Sequence, residues 1–268
     1  MKFSVAGNSI KGGREYQEDY WLAFDPVSKK IASCAAKKSQ TVPGASAGLV
    51  VVVADGVGSG GNGDVASRVV ANSFAPKIYS GKTGREEAMR QALAAANDEL
   101  ARIKQGSDDY GDMMGTTLIA GYFDDDVLSF LSVGDSSIFR FRDNEMHLVN
   151  QHHIYGHDLD CGVSAGRLDW DVVRSDRNRK AITSAVTGVP IDIVQFAQRP
   201  IENGDIYILA SDGIEVLPHQ LIRRLVYEHR DDGAAAIVFA LMEMAQNHGV
   251  AFKGSEHDNA TAVVVVCE

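Results

Sequence analysis

The 268-residue sequence predicts an α+β fold in one domain, and three observations support this. Between residues 116 and 149, four short runs of β-branched and aromatic residues alternate with polar turns, a pattern typical of an antiparallel meander. Apolar residues recur at helical spacing in two segments before this region and in two after it. No internal repeat or linker divides the chain, and β-rich single domains often reach this length.

Each element follows from its local pattern. Strands are predicted where β-branched or aromatic residues run between turn residues, at 3–10, 50–53, 116–123, 127–133, 138–141, 146–149, 193–197, 205–210 and 261–266. Helices are predicted where apolar residues recur every three or four positions, at roughly 63–79 and 85–103, from Pro218 through Val226, and at 233–246. Residues 28–47 are predicted to be a long, mobile hairpin connection. Residues from about 150 to 190 have no clear pattern and are predicted to form a variable, partly basic flap, here called the flap segment.

Four acidic residues stand at predicted strand ends. The valine run at 50–53 leads into Asp55 and a glycine-rich turn, and Asp212 is likewise followed by glycine after an apolar run. Asp135 closes a third run, and Asp258 precedes the final one. Each acid alone is equally typical of an ordinary turn. Their recurrence favours convergence at one end of a sheet, where carboxylates repel each other unless cations are bound.

Composition excludes several classes of function. The net charge of −10 and the pI near 5.3 argue against general nucleic-acid binding, which requires a basic face. Three cysteines without CxxC spacing favour a reducing compartment over a disulfide framework or a zinc site. The N-terminus has no secretory signal pattern, and no apolar run approaches the roughly 18 residues that cross a bilayer. We therefore expect a soluble, cytoplasmic protein with no nucleic-acid or membrane partner.

Other charged residues have two interpretations each. Arg14, four residues before Glu18-Asp19, is either a surface ion-pair partner or a guanidinium placed to bind phosphate. His152, His153 and His157 resemble metal ligands, but they lack the H-E-x-x-H pattern or a cysteine partner, and ordinary flap residues are favoured. The acidic run at 124–126 is predicted to be a solvated hairpin turn.

Seven short motifs together resemble the metal-dependent PP2C-type serine/threonine protein phosphatases, especially the compact bacterial ones. They occur in the family's order over nearly the whole chain: Arg14-x-x-x-Glu18-Asp19, Val53-Ala54-Asp55-Gly56-x-Gly58, Gly63-Asp64-x-Ala66-Ser67, Gly115-Thr116-Thr117, Val133-Gly134-Asp135-Ser136, Ala210-Ser211-Asp212-Gly213 and Asp258-Asn259-x-Thr261.

This resemblance implies a four-layer αββα fold, a central sandwich of two antiparallel sheets flanked by helices. It implies two Mn²⁺ or Mg²⁺ ions, with a weaker third site, and a bridging hydroxide that hydrolyses phosphoserine or phosphothreonine in protein targets of a kinase. By the same resemblance, Asp55 is expected to bridge the two ions and Arg14 to bind the substrate phosphate. The implied metal ligands are Glu18, Asp19, Asp55, the Gly56 carbonyl, Asp135, Asp212 and Asp258.

Departures from the family pattern keep other functions open. Val57 stands where eukaryotic members carry a histidine proposed as proton donor, and Ser137 replaces the usual arginine. These changes favour, as an alternative, a non-catalytic PP2C-like regulator that binds a partner. A phosphoesterase for small molecules on the same site is a third hypothesis.

Overall fold

The structure is a computed structural model that describes residues 1–25, 30–33, 40–45, 48–58, 62–78, 84–106, 114–253 and 257–268. Its strands are β1 (Phe3–Ile10), β2 (Asp19–Asp25), β3 (Lys30–Ser33), β4 (Gln40–Ala45), β5 (Leu49–Val57), β6 (Gly115–Thr116), β7 (Leu118–Asp124), β8 (Val127–Val133), β9 (Ser137–Arg142), β10 (Glu145–Leu148), β11 (Gln195–Pro200), β12 (Ile206–Ala210) and β13 (Ala260–Cys267). The α-helices are α1 (Gly63–Ile78), α2 (Arg85–Gln105), α3 (Tyr155–Ser164), α4 (Trp170–Val173), α5 (His219–His229) and α6 (Ala234–Lys253).

Two antiparallel sheets form the centre of the molecule. One has the order β10-β9-β12-β13-β1-β4, and the other has the order β11-β8-β7-β5-β2-β3, with β6 paired to the end of β5. Helices α1 and α2 pack on the outer face of the second sheet, and α5 and α6 pack on the outer face of the first. The predicted four-layer αββα arrangement is confirmed.

The alternation of β5 explains why this strand is buried on both faces. Val50 and Val52 face α1 and α2, whereas Val51 and Val53 face the other sheet. All four valines are fully buried. Because successive side chains of a strand point to opposite faces, a continuous apolar run is the pattern required of a strand inside a layered core.

Most predicted elements are confirmed within a few residues at their ends. The turn at 124–126 is a hairpin turn as predicted, and Asp125 adopts a φ of 42° there. The helix predicted at 233–246 extends further, to Lys253.

Two predictions are corrected. The segment 28–47 is not simply a connection: it contains β3, which pairs with β2, and β4, which pairs with β1, while residues 26–29, 34–39 and 46–47 lie outside the described chain. The flap segment, predicted without regular structure, contains α3 and α4. In the described chain, no helix is both long and apolar enough to cross a membrane.

Candidate metal centre

Strand alternation brings acids from both sheets to one end of the gap between them. Val51 and Val53 face the opposite sheet, and Asp55, two residues further along β5, continues the same face. Asp19 on β2 lies directly opposite Asp55 in the strand pairing and is only 3% exposed. From the other sheet, the Ser211 hydroxyl donates a hydrogen bond of 2.7 Å to Asp19 Oδ2. The interior of the sandwich therefore ends in a carboxylate layer.

Hydrogen bonds and close packing fix the backbone around Asp55. Its carbonyl accepts bonds from the Thr117 N–H at 2.8 Å and the Thr116 hydroxyl at 2.9 Å, and its N–H donates to Thr117 Oγ1 at 3.0 Å. A Cβ on Gly56 would lie 2.2 Å from the carbonyl oxygen of Gly63, so glycine is required at that position. The acid and the adjacent Gly56 carbonyl thus occupy a rigid turn.

Burial and mutual repulsion raise the pKa values of these acids. The pKa of Asp55 lies well above its ordinary value, chiefly because burial disfavours the charged form and then because Asp19, Asp212 and Asp135 lie nearby. Burial also raises the pKa of Asp19 to about 7, and the nearby charge of Asp212 adds to this rise. The pKa of Asp135 also rises to about 7, through burial and then through Asp212. Only cations or protons relieve such repulsion.

Arg14, Glu18 and Asp258 form the outer side of the site. Arg14 Nη2 donates to Asp258 Oδ2 at 2.5 Å, with both side chains partly exposed, and this bond is the main cause of the raised Arg14 pKa. Glu18 Oε1 accepts a 3.2 Å bond from the Gly63 N–H at the start of α1. Asn259 holds the loop: its Oδ1 accepts the Glu18 N–H at 2.8 Å, and its Nδ2 donates to two carbonyls of residues 11–16.

His153 holds the turn that carries Asp135. Gly134, with a φ of 101°, donates its N–H to His153 Nδ1 at 3.2 Å and accepts the His153 N–H at 2.9 Å. His153 is 5% exposed, and burial is the main reason that its pKa is lowered. The paired histidines of the flap segment are therefore structural, as the sequence favoured, but they position a candidate metal ligand.

A buried polar cluster that sequence reasoning missed lies beside the same turn. Ser137 Oγ donates to Glu215 Oε1 at 2.6 Å and lies 2.8 Å from His152 Nε2. Because the hydroxyl has a single proton, His152 must be the donor in the second bond. Glu215 belongs to the 3₁₀ turn that begins at Asp212, so the cluster ties that turn to the strand after Asp135. The residues are distant in sequence, and the only early signal was serine in place of arginine at 137.

The site suits divalent cations. In the described chain, Asp19 Oδ1 and Asp135 Oδ1 are buried without any hydrogen-bond partner. A buried carboxylate oxygen without a partner is costly, and an all-oxygen donor set matches hard ions such as Mg²⁺ and Mn²⁺. No group of three or more described His, Cys, Asp or Glu side chains forms a complete metal site as it stands, and Asp258 is instead paired with Arg14.

We predict that His153→Gln reduces the loss of stability at acidic pH. A histidine whose folded pKa is lowered contributes stability above its unfolded value of 6.5, and that stability is lost as the pH falls. A glutamine carbonyl still accepts a hydrogen bond but does not titrate. The measurement is the urea-unfolding free energy from pH 8 to 5. The unfolding free energy of the wild type minus that of the variant should become smaller below about pH 6.5. A free-energy difference that does not change with pH would contradict the prediction.

Comparison with known families agrees with this geometry. The chain belongs to the protein phosphatase 2C family, whose model matches residues 38–251. The chain is 27% identical to the serine/threonine protein phosphatase PstP of Mycobacterium tuberculosis over 220 residues, which are 80% of this chain but only 40% of PstP. It is 25% identical to the serine/threonine phosphatase stp of Listeria monocytogenes over 224 residues, or 81% of this chain and 83% of stp.

Solved structures give the same fold. The crystal structure of PstP from Mycobacterium tuberculosis superposes with a TM-score of 0.76 at 24% identity and covers 100% of both chains. A PstP catalytic domain in complex with two manganese ions gives a TM-score of 0.72 at 23% identity, covering 99% of this chain and 98% of the other. The family match begins after Asp19 and ends before Asp258, so the placement of these acids at the site comes from the geometry described above.

Proposed function

We propose that this chain is a metal-dependent phosphatase that hydrolyses phosphoserine and phosphothreonine in proteins. One observation carries the proposal: acids from both sheets meet at one end of the sandwich, where they raise each other's pKa values and leave two buried oxygens without partners. Such a cluster is unfavourable in a purely structural role, and divalent cations remove the repulsion.

The proposed site holds two ions in its main centre and a third ion that is bound more weakly. Seven groups are proposed to hold them: Glu18, Asp19, Asp55, the Gly56 carbonyl, Asp135, Asp212 and Asp258. When bound, the ions polarise a phosphoryl oxygen and make water a nucleophile at neutral pH. Asp55, at the centre of the cluster, is proposed to contact both main ions. Asp135 and Asp212 form the proposed third site. Burial and then the charge of Asp212 raise the pKa of Asp135, so the two carboxylates lie near each other.

Arg14 is proposed to bind the substrate phosphate. Its guanidinium already contacts Asp258 at the open side of the acid cluster and remains half exposed, so a planar pair of N–H donors is accessible there. A guanidinium in that position would neutralise charge on the phosphoryl oxygens during hydrolysis. Val57 follows the acid-bearing turn and has no proton to donate, so the proton of the leaving group comes from elsewhere.

The proposed substrates are phosphorylated proteins, the targets of a serine/threonine kinase, as the names of the bacterial relatives suggest. Because the chain spans about 40% of the first relatives' length, the activity and partners of the whole protein are part of the proposal. A cytoplasmic location is proposed as well, because Cys161 is an exposed free thiol and a reducing compartment suits it. A non-catalytic regulator does not require the buried, mutually repelling acids found here.

The test compares the wild type with Asp212→Asn on a phosphothreonine peptide in Mn²⁺, Mg²⁺ or chelator. We expect metal-dependent release of phosphate from the wild type and a loss of at least about tenfold in the variant, because a charged ligand is removed. Asp126→Asn is the matched control, since it neutralises an exposed carboxylate on the β7–β8 turn. Equal metal-dependent rates in wild type and Asp212→Asn would refute the assignment.

A further inference from the structure

An apolar groove lies next to the candidate metal centre. It has a volume of about 460 Å³, and its lining is formed by Val57, Ile182, Val189, Pro190, Ile191 and Asp192 together with small and hydroxyl-bearing residues between 183 and 187. We call it the flap groove. Its size falls within the range of about 300–1,000 Å³ typical of ligand pockets.

The flap groove is connected to the acid cluster by one short strand. Thr116 on β6 pairs with Gly56, and its hydroxyl donates to the Asp55 carbonyl. On its other side, Thr116 forms a two-way backbone bridge with Val186, with N···O distances of 3.0 and 2.8 Å. Val57, one residue beyond Gly56, lines the groove itself. The groove is therefore within reach of a peptide whose phosphorylated residue lies at the acids.

The outer wall of the groove is held in place by α2. Asn97 Nδ2 donates to the Val189 carbonyl, and Asn97 Oδ1 accepts the Gly188 N–H, both at 2.8 Å. Lys104 Nζ donates to the Thr187 carbonyl at 3.1 Å. A wall fixed before binding costs little conformational entropy when a ligand arrives, which favours specific recognition.

The residues that line the groove favour an apolar occupant over an acidic one. Asp192 is the one charged residue among the described residues that line the groove, and Val57 connects the groove to the end of β5 that carries Asp55. An acidic side chain would be repelled by Asp192. Val189 exposes 59% of its surface in the absence of a partner, and contact with an aliphatic side chain would bury part of it.

We propose that the flap groove binds an aliphatic side chain of the substrate, close in sequence to the phosphorylated residue. The inference rests on the proposed phosphatase function and adds a specificity to it: phosphorylated segments that carry leucine, isoleucine or valine beside the phosphoresidue are the preferred substrates. A hydrophobic pocket typically discriminates by about 10–200-fold between side chains that fill it and side chains that do not.

The test measures kcat/KM on matched phosphothreonine peptides in which leucine, glycine or aspartate stands at each position from three before to three after the phosphothreonine. At one or more positions we expect leucine to exceed both glycine and aspartate by about tenfold or more. Val189→Asp should abolish this preference. Val172→Asp is the matched control, because Val172 is 73% exposed in α4 of the same segment and does not line the groove. Hydrolysis of p-nitrophenyl phosphate, which is too small to occupy both sites, should be equal in the wild type and Val172→Asp and should remain metal-dependent in Val189→Asp.

The possible outcomes distinguish the groove specificity from the phosphatase function on which it rests. Metal-dependent hydrolysis of p-nitrophenyl phosphate with no preference for leucine at any position would overturn the flap groove and leave the phosphatase assignment intact. An equal loss of preference in Val189→Asp and Val172→Asp would also overturn it. If no metal-dependent hydrolysis of any phosphoester occurs, the proposed function fails, and the groove specificity fails with it.

Discussion

Asp55→Asn should lower metal-dependent phosphatase turnover by about 10³-fold, because a central charged ligand contributes several kcal/mol of transition-state stabilisation. Asp55 is the acid on which the repulsion of Asp19, Asp212, Asp135 and Asp258 converges, so no other residue is placed to replace it. Asparagine keeps the shape of the side chain and one oxygen but removes the charge. The measurement is kcat with saturating Mn²⁺ on a phosphothreonine peptide.

The same substitution should stabilise the metal-free protein. The pKa values of Asp55 and Asp19 are raised in the folded state, so the folded protein binds more protons than the unfolded one at intermediate pH. The associated stability is present below the ordinary aspartate pKa and is lost as the pH rises through the folded value, which is about 7 for Asp19. At pH 8 in chelator, the folded protein must either ionise Asp55 beside the other acids or keep it protonated, and asparagine removes both costs. A gain of the order of 1 kcal/mol would raise the Tm by about 2–4 °C in a chain of this size.

Two results together make this prediction specific. Asp126→Asn, which changes an exposed turn carboxylate, should affect neither turnover nor the Tm in chelator. Adding Mn²⁺ should raise the Tm of the wild type and should raise that of Asp55→Asn much less, since ligand binding to the folded state is what stabilises it. A lower Tm for Asp55→Asn in chelator would contradict the repulsion argument, and undiminished turnover would contradict the proposed role of Asp55.

The parts of the site that the sequence predicts are those set by strand periodicity. Once Val50 to Val53 are assigned to a strand buried on both faces, the period of two puts Asp55 on the face of Val51 and Val53. The pairing partner Asp19 and the acid after β12 then reach the same end of the sandwich, because the strands are antiparallel neighbours within each sheet. Local pattern is sufficient for Asp55 and for the acid after β12, whereas Asp19 was predicted only by the family resemblance.

The parts that the sequence does not predict depend on tertiary contacts between distant segments. Ser137, His152 and Glu215 meet only because β9, the flap segment and the turn after β12 come together, and none of them lies in a recognisable local pattern. Helix α3 was missed because its ten residues include only three buried ones, two of them glycine, so the apolar periodicity is weak. A surface ion pair was one of two interpretations of Arg14, but its partner is Asp258, 244 positions away, and not the neighbouring Glu18-Asp19 pair.

A second substitution with a large expected effect, here on the free energy of unfolding, lies at the end of the sandwich opposite the acid cluster. Arg142 on β9 forms a bidentate pair with Asp205, with Nε to Oδ1 at 2.6 Å and Nη2 to Oδ2 at 2.5 Å. Asp205 is 1% exposed and also accepts the Glu202 N–H at 2.9 Å, while its carbonyl accepts the Cys267 N–H at 2.9 Å. The Asp205 carboxylate thus links β9 to the start of β12, the backbone carbonyl of the same residue bonds to β13, and Arg142 is the cation that compensates the carboxylate charge.

Arg142→Met should therefore lower the free energy of unfolding by about 3–5 kcal/mol, because it leaves a buried carboxylate without its counter-charge. Glu202→Gln is the matched control: Glu202 also pairs with Arg142, but its side chain is 63% exposed, and its loss should cost less than about 1 kcal/mol. The double variant Arg142→Met with Asp205→Leu should recover much of the loss, since replacing both members of a buried pair with apolar groups is far cheaper than removing one. Urea unfolding at pH 7.5 measures all four proteins. A loss below about 1 kcal/mol in Arg142→Met, or no recovery in the double variant, would show that Asp205 does not depend on Arg142 for its counter-charge and that the pair does not stabilise the contact between β9 and β12.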